Sequence, residues 1–274
     1  MKEVINRLSK DFSLSIEETE LLVSQLLKKP RFEIYLNQKY DPVLDFYLRI
    51  KFILLKKGVP IEYITKQVQF LKFNLKILPG VFIPRLETEY FVELIKRLIE
   101  FKPKIICDIG TGCGAISIGL ADLFPEAHII ATDISEIALI NAYHNIISLN
   151  LNERINLIKA DLFSAFKEHI FDLIVCNPPY IPRERINELP KSVRDFEPRM
   201  AIDGGFKGTT FIKKIIDQGQ KYLTSLNICL EIDAEEIEEL DSYLKPIFKD
   251  YFFLEDLFGR IRYLFIGRFR RCKM

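Results

Sequence analysis

From Lys104 onward, short apolar runs alternate with stretches of helical period, and few folds accept that rhythm. The runs fall at 104–109, 128–132, 155–159, 171–176, 226–232, 249–254 and 261–267. They are too short for buried helices, and their near-continuous Ile, Leu and Val content suits strands covered on both faces. Helices are predicted at 87–101, 114–123, 135–149, 208–223 and 234–245. Such alternation predicts an α/β fold with a doubly wound, Rossmann-like sheet, whose ligand crevice lies at the carboxyl ends of the strands. Only residues 255–260 separate the last two strands. That is enough for an antiparallel hairpin and too little for a parallel crossover, so the last strand should insert antiparallel.

The chain before this region reads as helical. Ser15-Ile16-Glu17-Glu18 has the form of a capping box, opening a helix that runs to Lys28-Lys29-Pro30 with Ile16, Leu21, Leu22 and Leu26 as its apolar stripe. Asp41-Pro42 opens another, with proline at the first helical position. Val43, Phe46, Tyr47, Ile50 and Leu54 give that helix its expected apolar face, and Gly58 a C-cap. No catalytic constellation occurs here. At Gln67 the period shortens. Val68-Gln69-Phe70-Leu71-Lys72-Phe73 and Leu75-Lys76-Ile77-Leu78 are expected to form two strands joined near Asn74, followed by a turn at Pro79-Gly80. The resulting division is a helical domain at 1–66, a β-hairpin linker at 67–83 and an α/β domain at 84–274.

Charge and cysteine usage narrow the function. The formal net charge of +1 gives no bulk attraction for a polyanion. No stretch reaches the length of a membrane span, and the charged start MKEVINRLSKDF lacks the apolar core of a signal peptide. Cys107, Cys113, Cys176, Cys229 and Cys272 are scattered and without CxxC spacing, which argues for reduced thiols in a cytoplasmic protein and against a zinc site. His128, His144 and His169 fall at the sheet's periphery or in helices. The basic tail Arg268-Phe269-Arg270-Arg271-Cys272-Lys273 reads as a solvated end. Arg85 is assigned to a loop.

The polar groups gather at strand ends. Ile105-Ile106-Cys107-Asp108-Ile109-Gly110-Thr111-Gly112-Cys113-Gly114-Ala115 is a strand, a glycine-rich turn and a helix start. Glycine permits the tight turn and a close ligand, and the helix N-terminus offers free N–H groups. After the second strand, Asp133 stands where it would meet a ribose hydroxyl. With Ala115 in the third small position, the turn would also pass for a dinucleotide fingerprint. The Asp108 carboxylate, however, would repel a pyrophosphate and attract the ammonium of an amino-acid-bearing nucleoside, S-adenosylmethionine. Asp108, Ile109, Gly110, Thr111, Gly112 and Asp133 are therefore candidate cofactor residues. After the third strand, Asp161 and Leu162, with Phe163 next to them, are placed at an adenine edge. There an acid accepts from the amine and an apolar side chain covers the ring, although Asp161 and Ser164 would equally serve as a helix cap.

The fourth strand ends in Asn177-Pro178-Pro179-Tyr180. Consecutive prolines fix φ, supply no N–H donors and hold the preceding residue extended. The exit is rigid, with free carbonyls, the amide of Asn177 and the flat face of Tyr180. It suits a planar group carrying an NH₂, such as an amide or an aminopurine. A proline stop alone would look the same, but all four strand ends lie on one rim. Asn177, Pro178, Pro179 and Tyr180 are the candidate catalytic residues, with Asn177 also counted at the cofactor.

The sequence resembles the bacterial protein-(glutamine-N5) methyltransferases that modify peptide chain release factors. The glycine turn and Asn-Pro-Pro-Tyr are shared with many amino-methyltransferases, including those acting on adenine in DNA. More specific are Ile83-Pro84-Arg85-Leu86-Glu87-Thr88-Glu89, Arg194-Asp195-Phe196-Glu197-Pro198 and Phe258-Gly259-Arg260-Ile261-Arg262. The family often has proline then aspartate where this chain has Leu86-Glu87, and can have tryptophan where this chain has Leu162. The resemblance implies a class I methyltransferase sheet and a substrate-recognising helical domain. It also implies S-adenosylmethionine as cofactor, with S-adenosylhomocysteine as product, and methylation of the Gly-Gly-Gln glutamine of release factors. The chain is further expected to be a monomer without a nucleic-acid, membrane or metal partner. The alternative expectation is an adenine-amine methyltransferase acting on DNA or RNA.

Overall fold

The computed structural model describes residues 1–36 and 41–271. Along the chain run α1 (Lys2–Phe12), α2 (Ile16–Leu27), α3 (Pro42–Lys56) and α4 (Ile61–Thr65), then β1 (Gln67–Phe70) and β2 (Phe73–Lys76). There follow α5 (Leu86–Leu98), β3 (Ile105–Ile109), α6 (Ala115–Leu123), β4 (His128–Asp133), α7 (Glu136–Ser148), β5 (Ile155–Lys159) and β6 (Leu173–Cys176). Last come α8 (Lys191–Arg194), α9 (Thr210–Gly219), β7 (Asn227–Glu231), α10 (Ile237–Leu244), β8 (Tyr251–Glu255) and β9 (Ile261–Gly267). No described helix is long and apolar enough to cross a membrane.

Two compact units result, one of Met1–Gln67 with Lys191–Phe196, the other of Val68–Pro190 with Glu197 onward. The helical unit packs Ile5, Leu8, Val23, Leu26, Leu48 and Phe52 into a core. The expected capping box forms: Ser15 Oγ accepts from Glu18 N–H at 3.1 Å, and Glu18 accepts from Ser15 N–H at 2.8 Å. Asp41 caps α3 by accepting from Val43 and Leu44 N–H.

The apolar faces expected for α2 and α3 need correction. On α2, Thr19, Val23 and Leu26 are buried while Ile16 and Leu21 are exposed. On α3, Leu48 and Phe52 are buried together with Asp45, whereas Val43 is 76% and Phe46 67% exposed, and Tyr47 and Ile50 also face water. The helix is apolar on two sides, and the side that turns inward is the one whose carboxylate pairs with Arg7 of α1.

In the second unit the strand order is β5-β4-β3-β6-β7-β9-β8, parallel throughout except for β9, which is antiparallel to both neighbours. The expected antiparallel insertion is thus present. Every residue of β6 and β7 is buried, as their unbroken apolar runs required. The strand order reverses at β3, which pairs with β4 on one side and β6 on the other, and that switch point opens a crevice at the carboxyl ends. Helix α9 is shorter than the expected 208–223, and a 3-10 turn at Ala234–Glu236 leads into α10.

The hairpin turns at Leu71 and Lys72 and not near Asn74. Leu71 adopts φ 51°, and its N–H donates to Glu89 Oε2 at 2.8 Å. The hairpin also docks on α7. Asn141 and Asn145 accept from Leu78 N–H and Lys76 N–H, both at 2.7 Å, and both side chains donate back to the Lys76 carbonyl. Asn145 reaches the Cys113 carbonyl as well, at 2.8 Å. The described part of the basic tail is no free end: Phe269 is buried against Phe265, and Arg270 N–H donates to the Leu98 carbonyl. Residues 272–274, Cys272 among them, lie outside the described residues.

Candidate active site

A cavity of about 560 Å³ opens where the strand order reverses. Its walls bring together residues that the sequence places far apart: Ile109, Gly110, Thr111 and Gly112 after β3, Asp133 at the end of β4, Asp161 and Leu162 after β5, and Asn177, Pro178 and Pro179 after β6. Gly110, Gly112 and Gly114 have φ of 72°, 58° and 86°. A Cβ at Gly110 or Gly112 would project into open space, so these positions leave room for a ligand against the backbone. Gly114 has another reason: a Cβ there would come 3.3 Å from that of Ala142, where α6 meets α7.

The two acids of this half behave differently. Asp108 is fully buried and does not line the cavity. Its Oδ2 accepts from Thr111 Oγ1 at 2.7 Å and Ser117 Oγ at 2.5 Å, tying the turn to α6 from below. Burial raises its pKa to about 6 against the pull of those hydroxyls, and its Oδ1 has no partner. Asp133 does line the cavity. It accepts from Gly112 N–H at 2.9 Å and from Ser135 N–H at 2.8 Å, and burial raises its pKa despite these bonds. Of the two candidates at the third edge, Leu162 lines the cavity, with φ 50°, while Phe163 is in the core, stacked on Tyr222.

On the opposite wall, Asn177 Nδ2 donates to Thr88 Oγ1 at 3.2 Å. Tyr180 is outside the cavity lining. Its hydroxyl donates to Glu231 Oε1 at 3.0 Å, and the guanidinium of Arg262 lies 5.9 Å from its ring. Arg85 pairs with the buried carboxylate of Glu197, which also accepts from Ile83 N–H at 3.2 Å, so the loop assignment holds with a buried partner added. None of the three histidines lines the cavity. Glu231 escaped the sequence reading, and Thr88 and Glu197 entered it only as members of motifs, with no role assigned. A glutamate closing the fully apolar run Ile228–Leu230 was the available signal, because a strand buried on both faces does not carry an acid without a partner.

The sheet order, the glycine turn and a cavity shared by four strand ends define a methyltransferase fold. A family profile described as Methyltransferase small domain matches residues 73–189. The catalytic domain of hMettl16, solved in complex with the MAT2A 3′UTR hairpin 6, aligns over 92% of this chain and 94% of its own with a TM-score of 0.59 at 18% identity, a likeness of fold alone. Relatives by sequence are closer. The release factor glutamine methyltransferase of Clostridium acetobutylicum is 33% identical over 84% of this chain and 83% of its own. That of Clostridium botulinum is 35% identical over 89% of each. The chain belongs to the release factor glutamine methyltransferase family.

Proposed function

We propose that this chain transfers the methyl group of S-adenosylmethionine to the side-chain amide nitrogen of the Gly-Gly-Gln glutamine in peptide chain release factors. One observation carries the reading: the rigid Asn177-Pro178-Pro179 exit and the open glycine turn with Asp133 are two walls of one cavity. The names of the relatives favour this acceptor over an adenine amine.

The residues present fit the cofactor. Gly110 and Gly112 leave backbone exposed where a side chain would otherwise project, Asp133 can accept from ribose hydroxyls, Asp161 from the adenine amine, and Leu162 covers the ring. Asp108 acts from beneath, holding Thr111 and the turn in place. S-adenosylmethionine supplies an electrophilic methyl on a sulfonium centre.

An amide nitrogen is a weak nucleophile because its lone pair is delocalised into the carbonyl. Asn177 Oδ1 and the Pro178 carbonyl accept from the glutamine NH₂, set the nitrogen in line with the methyl and favour the positive charge that develops on it. Two prolines leave no N–H of their own to compete for those bonds. The nitrogen's proton passes to solvent water after the methyl arrives, when it is far more acidic, so no strong base is needed. Pro179 stiffens the turn, and Tyr180 supports it from outside the cavity. The helical unit is assigned to docking the protein substrate, a reading supported by Val43, Phe46 and Phe32, which it leaves in water. The chain is read as a monomer that acts in the cytoplasm, where translation occurs.

Methyl-labelled S-adenosylmethionine offered with a release factor, with its Gln-to-Ala version and with DNA tests the reading. Label is expected on the intact release factor alone. Label on the Gln-to-Ala version, on DNA, or nowhere overturns it.

A further inference from the structure

We propose that Thr88 and Glu231 are positioning residues that dictate which way the Asn177 amide faces, so that its oxygen and not its NH₂ meets the acceptor. The inference rests on the reading of Asn177 as a hydrogen-bond acceptor for the substrate amide.

Glu231 closes β7, whose Leu230 pairs with Cys176, the residue before Asn177. It is fully buried, and each carboxylate oxygen has one donor: Tyr180 Oη at 3.0 Å on Oε1 and Thr88 Oγ1 at 2.8 Å on Oε2. Both ends of the Asn-Pro-Pro-Tyr turn therefore depend on one carboxylate, Tyr180 directly and Asn177 through Thr88. The direction of the chain follows from proton counting. A threonine hydroxyl has a single hydrogen, and Thr88 gives it to the carboxylate. Its oxygen can then only accept, so the Asn177 group beside it, 3.2 Å away, must be the NH₂. Oδ1 is left pointing elsewhere, free to accept.

If the carboxylate cannot accept, this logic fails. The Thr88 hydroxyl is released to donate to Asn177 Oδ1, the amide turns over, and its NH₂ faces the NH₂ of the substrate. Two donors then oppose each other at the reacting nitrogen. The charge of Glu231 is held by Arg262 of β9 and opposed by Glu87 of α5; Tyr180 faces it as a donor. Arg262 is itself bound to Asp233 and Asp256. Burial raises the pKa of Glu231 to about 7, so the ionised form, which accepts at both oxygens, is gained near neutrality.

Three variants test this: Thr88→Val, which keeps shape and loses the hydroxyl, Thr88→Ser, which restores it, and Glu231→Met, which removes both acceptor oxygens. For Thr88→Val and Glu231→Met, kcat toward the release factor is expected to fall by roughly a hundredfold. S-adenosylhomocysteine affinity by calorimetry and KM for the release factor should stay within about threefold, and Thr88→Ser should recover most of kcat. The thermal midpoint identifies any variant that fails to fold, and the remaining ones then decide. Transfer by the wild type with full kcat in folded Thr88→Val or Glu231→Met overturns the positioning role and leaves the proposed function standing. Equal losses of kcat and cofactor affinity also overturn it, because a damaged fold would do the same. Absence of transfer by the wild type overturns both.

Discussion

At the residue scale, the two sides of the cavity make separable demands. Asn177 touches the acceptor in the proposed reaction and Asp133 the cofactor, so their alanine variants should fail in opposite ways. Asn177→Ala is expected to lose about a hundredfold in kcat while binding S-adenosylhomocysteine nearly as before. Asp133→Ala should weaken that binding by tenfold or more, since it also deprives Gly112 N–H of its acceptor. Calorimetry beside initial rates reads both, and the reverse pattern would exchange the two roles. The placement of Gly110, Gly112 and Asp133 at the cavity was legible because strand, turn and helix start are contiguous and each chemical type sits at a readable offset. Asp108 was expected to meet the cofactor's ammonium, yet it is buried beneath the turn and bound to Thr111 and Ser117. Thr88 and Glu231 were not legible, because they are 143 residues apart and meet only once α5 lies beside β7. Tyr180 was legible as a residue that matters, yet its hydroxyl looks away from the cavity to Glu231, which no spacing rule announces.

At the element scale, strands were easier to read than helix faces. Strands β6 and β7 are buried on both sides, so their apolar runs are unbroken and their limits fall within two residues of expectation. Helix α3 misled because it is apolar on two sides and buries an aspartate, which a count of apolar positions treats as an outward marker. The hairpin was recognised by its period, but its anchorage was not, because the two asparagines that clamp it lie on α7 and look like ordinary polar helix residues. They make one prediction at this scale. Asn145 bridges Lys76 and Cys113, joining the hairpin to the glycine turn. Asn145→Ala leaves a buried carbonyl and an N–H unpaired and is expected to cost about 2–3 kcal/mol, measured by urea unfolding. A loss below about 0.5 kcal/mol would mean that Asn141 and the apolar contacts hold the hairpin without Asn145.

At the scale of the whole molecule, the buried acids give stability a particular dependence on pH. Burial raises the pKa of Asp108 to about 6, of Glu231 to about 7 and of Glu236 to about 8. Each acid holds its proton more tightly folded than unfolded. The stability it contributes is present below the ordinary carboxyl range and is lost as pH rises through these values. The thermal midpoint without ligand should therefore fall between pH 6 and pH 8.5. Glu236, whose Oε1 is buried without a partner, should account for part of the fall, and Glu236→Gln should lessen it. A midpoint that rises over this interval would contradict the assignment.

The antiparallel β9 has a consequence for synthesis on the ribosome. It comes last in sequence yet lies inside the sheet, between β7 and β8. Until it emerges, β7 has an open edge and β8 has no strand to pair with. Arg262, which steadies the charge behind the Asn-Pro-Pro-Tyr turn, is carried by this same strand. A nascent chain can thus complete the glycine turn and Asp133 long before the Asn-Pro-Pro-Tyr turn is in order. Cofactor binding should mature early during translation and methyl transfer only once β9 has emerged.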